Sequence, residues 1–209
     1  EAEMAAIVTA ADKVGAWLIA DEVYGGAERE RNDQTPSFFG RYDKVIAVNG
    51  LSKAYGLPGL RLGWAVAPPE ITEALWRRHE FVTISASMLG NRLGEIALRP
   101  DVRPQLISRT RRLIRDGFAT LQEMLAARPG VFSVVAPMAS ALSFVRYDLP
   151  LGSTELVHRL RAEKSTLVVP GDCFGVDHHL RISSALPDDY LREGLGRMND
   201  LVGDILANR

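Results

Sequence analysis

A lysine acts as a nucleophile or proton carrier only where its surroundings favour the neutral amine. One stretch of this sequence offers such a setting. Val48-Asn49-Gly50-Leu51-Ser52-Lys53-Ala54-Tyr55-Gly56-Leu57-Pro58-Gly59-Leu60-Arg61-Leu62-Gly63-Trp64 follows an apolar run and surrounds Lys53 with small residues. A lysine just past a strand end lies where open α/β sheets bind their ligands. Arg61 follows in the same stretch. Its guanidinium fork suits a phosphate, and the Ser52 hydroxyl can join the same anion. A second piece, Asp21-Glu22-Val23-Tyr24, also ends an apolar run. A carboxylate there can keep a heteroaromatic ring nitrogen protonated, and Tyr24 can hydrogen-bond an oxygen of the same ring. The third piece is Leu180-Arg181-Ile182-Ser183, an arginine inside an otherwise apolar strand. Bidentate capture of a substrate carboxylate is one reason to place it there.

Each residue also has a plainer reading. Lys53 alone is a solvated loop lysine, and Asp21 a turn or helix-capping residue. Tyr24 is half-buried packing, Arg61 a surface ion pair and Ser52 a local turn bond. Arg181 is then a structural partner of Asp172 or Asp177. The chemical reading rests on their joint occurrence: carboxylate, lysine and two arginines in one order.

The elements that position these groups follow from periodicity. Residues 2–14 are alanine-rich and predict a helix. They lead into Ala16-Trp17-Leu18-Ile19-Ala20, an apolar run typical of strands buried on both faces. A second run, residues 45–48, closes at Asn49-Gly50. A third, residues 64–67, is stopped by Pro68-Pro69, which suits the start of a helix over residues 70–81. From about 103 to 127 the apolar positions Leu106, Ile107, Leu113, Ile114, Phe118, Leu121 and Leu125 recur at helical spacing. Arg109, Arg111, Arg112 and Arg115 predict a solvated face of that helix. Beyond Pro129-Gly130, residues 132–135, 142–145, 167–169 and 180–182 predict strands, and 153–164 and 188–206 predict helices. Trp17 and Trp64 are expected in the core, His178-His179 in a loop, and Cys173 as an incidental thiol.

Two α/β parts joined by a long helix result. The first holds about three strands, fewer than a doubly wound sheet carries, which predicts further sheet partners outside this chain. The composition is that of an ordinary globular protein, with 46% hydrophobic and 24% charged residues among 209. A formal net charge of -1 gives no reason to expect nucleic acid or an anionic membrane as partner. No apolar run reaches the ~18 residues of a membrane span, and the first residues lack the pattern of a signal peptide. A single cysteine excludes an internal disulfide and suits a cytoplasmic location. The four histidines have no metal-ligand spacing.

In order and separation, these pieces resemble the fold-type I, class I/II aminotransferases, the aspartate aminotransferase superfamily, and the similarity runs over essentially the whole chain. Asp21-x-x-Tyr24 is similar to that family's contacts to the pyridine nitrogen and phenolic oxygen of pyridoxal 5'-phosphate (PLP). Ser52-Lys53 with Gly59-Leu60-Arg61-Leu62-Gly63 resembles its Schiff-base lysine and phosphate arginine. Pro170-Gly171, Phe174-Gly175 and Leu180-Arg181-Ile182-Ser183 resemble its substrate-carboxylate segment. The resemblance implies an α/β fold in three parts. Residues 1–105 would be the C-terminal part of the large mixed-sheet, PLP-binding domain, 106–129 an interdomain helix, and 130–209 the small C-terminal domain. It implies Lys53 as the catalytic residue, Asp21, Tyr24, Ser52, Lys53 and Arg61 as cofactor contacts, and Arg181 as the substrate contact. The implied activity moves an amino group between an α-amino acid and a 2-oxo acid, in a homodimer. A β-lyase, an amino-acid cyclase or oxidase, or an effector domain of a transcription regulator would use the same frame. The family's Gly/Ser-rich phosphate loop, ring-stacking aromatic and asparagine have no counterpart here. Gly50 stands where many members place Ser or Thr.

Overall fold

The computed structural model describes residues 1–207. The backbone forms two compact units, residues 1–111 and 112–209, and the division falls within helix α4 (Arg103–Ala126).

In the first unit, helix α1 (Ala2–Val14) ends at Gly15, whose left-handed φ of 66° lets its N–H return to the last turn. Strand β1 (Leu18–Asp21) runs parallel to β2 (Val45–Gly50), with Asp21 opposite Val48. Strand β3 (Gly63–Val66) returns antiparallel to β2, with Gly50 opposite Gly63. The central strand β2 buries Val45 and Ala47. The edge strand β1 does not follow the two-face burial that its apolar run predicts. Ile19 is 74% exposed, in a strand whose burial alternates so that one face is uncovered, and Trp17, just before the strand, is exposed as well. The Gly50–Gly63 pair is where the chain leaves the sheet at residue 51 and re-enters after 62. A Cβ on Gly50 would lie 3.1 Å from the Leu62 carbonyl, and one on Gly63 would lie 3.0 Å from the Asn49 carbonyl.

Helix α2 (Pro69–His79) opens on proline, as its sequence predicts. Helix α3 (Met88–Ala97) was not foreseen from periodicity. The Ser87 hydroxyl caps it by accepting the Gly90 N–H at 3.3 Å. Its glycines are buried against the 51–62 segment: a Cβ on Gly90 would lie 3.0 Å from the Leu60 carbonyl, and one on Gly94 would overlap the Leu62 side chain.

The second unit is an antiparallel sheet in the order β4-β5-β7-β6, from β4 (Phe132–Val134), β5 (Leu142–Tyr147), β6 (Val169–Pro170) and β7 (His179–Ser183). The expected strand at 167–169 is reduced to Val169–Pro170 at the sheet edge, where proline's missing donor is tolerated. His179 belongs to β7 rather than to a loop, and stacks on Phe144 with ring centroids 4.7 Å apart. Helices α5 (Ser153–Lys164) and α6 (Asp188–Ala207) and the C-terminal half of α4 close one core. In it Leu121, Leu156, Leu160, Leu201 and Val202 meet Val145, Leu180 and Ile182 of the sheet. No helix among the described residues is long and apolar enough to cross a membrane.

Candidate active site

Strand β1 delivers Asp21 to its carboxyl end, and the Glu22 N–H still donates to Val48 O at 2.8 Å. Asp21 Oδ1 accepts the Val23 N–H at 3.2 Å, an Asx-type turn that presents Tyr24. Its second oxygen has no partner among the described residues. The neighbouring carboxylate is occupied: Glu22 Oε1 accepts the Ser37 hydroxyl and the Phe38 N–H, each at 2.9 Å. Asp21 is exposed and Glu22 partly buried, so Asp21 is the more open of the two carboxylates. The same turn packs on the lysine loop. Gly26 is so close that a Cβ there would stand 3.2 Å from Ala54 Cβ and 3.4 Å from Ile107 Cδ1.

The lysine loop is closed by its own backbone. Leu51 N donates to Leu62 O at 3.0 Å, Leu57 N to Leu51 O at 2.9 Å, and Gly56 N to Lys53 O at 3.0 Å. Leu51, Ala54 and Tyr55 are buried and anchor it, while Lys53 between them is exposed. Its Nζ forms no hydrogen bond or ion pair among the described residues and lies 5.9 Å from the Tyr24 ring centroid. The partly buried Ser52 hydroxyl is likewise without a partner there. Arg61 ends the 3-10 turn Pro58–Leu60 at φ 50°, and its Nη1 donates to Pro58 O at 3.0 Å. No carboxylate pairs with it among the described residues, so the ion-pair alternative for Arg61 does not hold.

Helix α4 braces both loops. Arg103 Nε donates to the Tyr55 hydroxyl at 3.1 Å. Arg109 Nη2 donates to Tyr55 O at 2.9 Å and to Gly56 O at 3.4 Å. Arg111 forms an ion pair with Glu28, their side chains 11% and 3% exposed, and also bonds the Asn32 and Asp33 carbonyls. Glu28 in turn accepts the Gly26 N–H at 3.0 Å and the Thr35 N–H at 2.8 Å. Burial pushes the Glu28 carboxyl up. The Thr35 N–H, the Arg111 guanidinium and the Gly26 N–H outweigh it and hold the group at about 2. The solvated face expected of this arginine run is thus corrected at Arg111, which is buried; Arg109 stays exposed while donating to the lysine loop. Arg112 is exposed.

Arg181 lies in the second unit, on the side of β7 opposite Leu180 and Ile182 and facing Phe144 in register. Its guanidinium sits 5.3 Å from the Phe174 ring centroid. Neither suggested carboxylate takes it. Asp172 accepts the Thr154 N–H and hydroxyl at 3.1 and 2.8 Å, and Asp177 accepts the Ser153 and His178 N–H groups at 2.6 Å. A cavity of about 460 Å³ opens in this unit among Leu167, Val169, Leu191 and Leu195, with Arg181 on its lining. It is mainly apolar, and the Lys53 amine, with Tyr24 near it, lies in the first unit.

This donor set fits pyridoxal phosphate. It offers an amine and a guanidinium that no carboxylate neutralises, a carboxylate oxygen without a donor, and a phenol 5.9 Å from the amine when measured at its ring centroid. The sequence profile of aminotransferase class I and II matches residues 1–198. Capreomycidine synthase of Streptomyces vinaceus is 34% identical over 161 residues, covering 77% of this chain and 41% of that protein. Aspartate aminotransferase of Streptomyces avermitilis is 29% identical over 208 residues, covering 93% and 50%. Among solved structures, a PLP-dependent aminotransferase from Streptococcus suis superposes with a TM-score of 0.88 at 29% identity, covering 97% of this chain and 52% of that one. The chain spans about half the length of these relatives.

Proposed function

The chain belongs to the class I and II aminotransferase family and carries part of its fold type I architecture, and from that premise we propose that it takes part in PLP-dependent transfer of an amino group between an α-amino acid and a 2-oxo acid. The observation that carries this reading is the unpaired Lys53 amine beside the Tyr24 ring, in a loop packed on the turn that follows Asp21. When bound, PLP supplies an electrophilic carbonyl and a cationic ring that accepts the electron pair left by a broken bond at the substrate α-carbon.

The chain's own residues do the rest. Lys53 would hold the cofactor through its amine, and when free that amine would carry the proton to and from the substrate α-carbon as general base and acid. The open oxygen of Asp21 keeps a proton on the ring nitrogen, and the Tyr24 hydroxyl bonds the ring's phenolic oxygen. Arg61, with Ser52 beside Lys53, binds the phosphate. Arg181 takes the substrate carboxylate in a fork, which fixes the orientation of the α-hydrogen as well as adding affinity. The proposal includes residues 1–105 as large-domain sequence, 106–129 as the connecting helix and 130–209 as the small domain. It also includes a cytoplasmic homodimer, which sedimentation of the purified protein tests.

The half-reaction is the decisive experiment. Holoprotein given an amino acid and no acceptor should release one oxo acid and retain the amino group as pyridoxamine phosphate, and Lys53→Ala should do neither. Ammonia release, or a cyclised product with the cofactor unchanged, would overturn transamination in favour of lyase or synthase chemistry.

A further inference from the structure

Because Lys53 Nζ has no hydrogen bond of its own among the described residues, the position of this amine is set by the backbone that carries it. Inside the loop, the Leu51, Gly56 and Leu57 N–H groups are used in closing bonds. The carbonyls of Tyr55 and Gly56, just beyond Lys53, face outward from that closure and are taken by a single side chain, Arg109 of α4, at 2.9 and 3.4 Å.

We propose that Arg109 is a positioning residue for Lys53, acting through these two carbonyls. Gly56 is the other half of the device. Its φ of +63° is a left-handed conformation, and a Cβ there would stand 2.8 Å from Arg109 Nη2 and 3.3 Å from Thr110 Oγ1. The glycine lets the guanidinium reach the loop, and the guanidinium then holds the turn. Arg109 meets no carboxylate among the described residues, so both of its hydrogen bonds go to this loop. Arg103 differs, since it divides its donors between the Tyr55 hydroxyl and Gln34. Nothing in the arginine run distinguishes position 109 from its neighbours. Its role appears only when the loop carbonyls are traced to their donors.

The inference rests on the reading of Lys53 as the cofactor lysine. A shift of about 1 Å at a reacting group can cost up to about a hundredfold in rate. Loss of one charge-assisted bond to a backbone carbonyl corresponds to roughly tenfold. The test uses full-length holoprotein, with visible absorbance to follow PLP binding and steady-state kinetics on an amino acid. Arg109→Leu should weaken PLP binding about tenfold and lower kcat about tenfold, with KM for the amino acid held within about twofold. Arg109→Lys, whose ammonium can still reach one carbonyl, should recover most of both, and Gly56→Ala should reproduce the Arg109→Leu pattern. Melting of each apoprotein is followed alongside. Unchanged PLP affinity and kcat in Arg109→Leu overturn the inference. So does a loss that tracks apoprotein melting in every variant, Arg109→Lys included, because that is a structural role only. Failure of the underlying reading looks different: Lys53→Ala would then bind PLP with the wild-type visible spectrum.

Discussion

The buried Glu28–Arg111 pair sets a pH limit on the first unit that can be worked from its geometry. The Glu28 carboxyl is held at about 2 against an ordinary value of 4.5. Because the folded-state value is depressed, the stabilisation is complete above the unfolded value and is lost as pH falls from about 4.5 towards 2. The difference amounts to about 3 kcal/mol at pH 7 and shrinks to roughly 1 kcal/mol by pH 3. Glu28→Gln removes that contribution and leaves the Arg111 guanidinium buried without its counter-ion, itself a cost of about 3–5 kcal/mol when one partner of a buried pair is deleted. The two descriptions overlap, so about 3 kcal/mol is the expected loss at neutral pH. The chain's three tryptophans, Trp17, Trp64 and Trp76, all lie in residues 1–111, so tryptophan fluorescence during urea unfolding reports on this unit. Other carboxylates of the unit, Glu1 beside Arg41 and Asp101 beside Arg99, are also held low, but they are common to both proteins and drop out of the difference. The stability gap between wild type and Glu28→Gln should therefore narrow steadily below pH 4.5. A gap equally wide at pH 3 and pH 7 would refute the linkage argument.

Two further substitutions probe the second unit. Replacing a mid-helix glycine by alanine ordinarily stabilises a helix by about 1 kcal/mol, but a Cβ on Gly117 would overlap the Ser184 carbonyl. Gly117→Ala should instead destabilise by roughly 1–3 kcal/mol, and a raised melting temperature would show that α4 does not pack there so closely. Phe174→Leu removes the ring 5.3 Å from the Arg181 guanidinium. It should raise KM for a carboxylate substrate about threefold, in line with a cation–π contact of about 0.5–1 kcal/mol, with the PLP spectrum untouched; an unchanged KM would leave the contact without a functional part.

How much of this was legible in the sequence depends on whether a feature is local. Lys53, Asp21 and Arg181 stand out because each follows or interrupts an apolar run, and Tyr24 and Arg61 because each lies in the same short segment as one of them. Helices α1 and α5 fall where composition places them, since their signals lie within a few turns. Helix α3 was missed because Gly90 and Gly94 weaken a helical pattern. Only the packing shows that both are small so that residues 60–62 can lie against them. The Glu28–Arg111 pair joins positions 83 residues apart, which no periodicity encodes. Ile19 reads as core by type, yet its exposure follows from which face of β1 is covered, and that is set by packing rather than by the apolar run.

What marks the candidate site electrostatically is a lack of ion-pair partners. On the helices, exposed arginines commonly hold a carboxylate one turn away, as in Arg77–Glu73, Arg159–Glu163, Arg192–Asp188 and Arg197–Glu193. Such pairs add little to stability, but they satisfy the guanidinium. Arg61 and Arg181 lie outside helices, where no such neighbour is supplied by periodicity, and neither has a carboxylate among the described residues. Arg61 also sits at φ 50°, a conformation that costs a non-glycine residue of order 1 kcal/mol or more. Its bond to Pro58 O fixes one guanidinium nitrogen and leaves the others free. The left-handed turn at Arg61 lets Leu60 and Leu62 pack on Gly90 and Gly94 and returns the Leu62 carbonyl to the Leu51 N–H, so the same turn that closes the lysine loop also presents the guanidinium without a carboxylate.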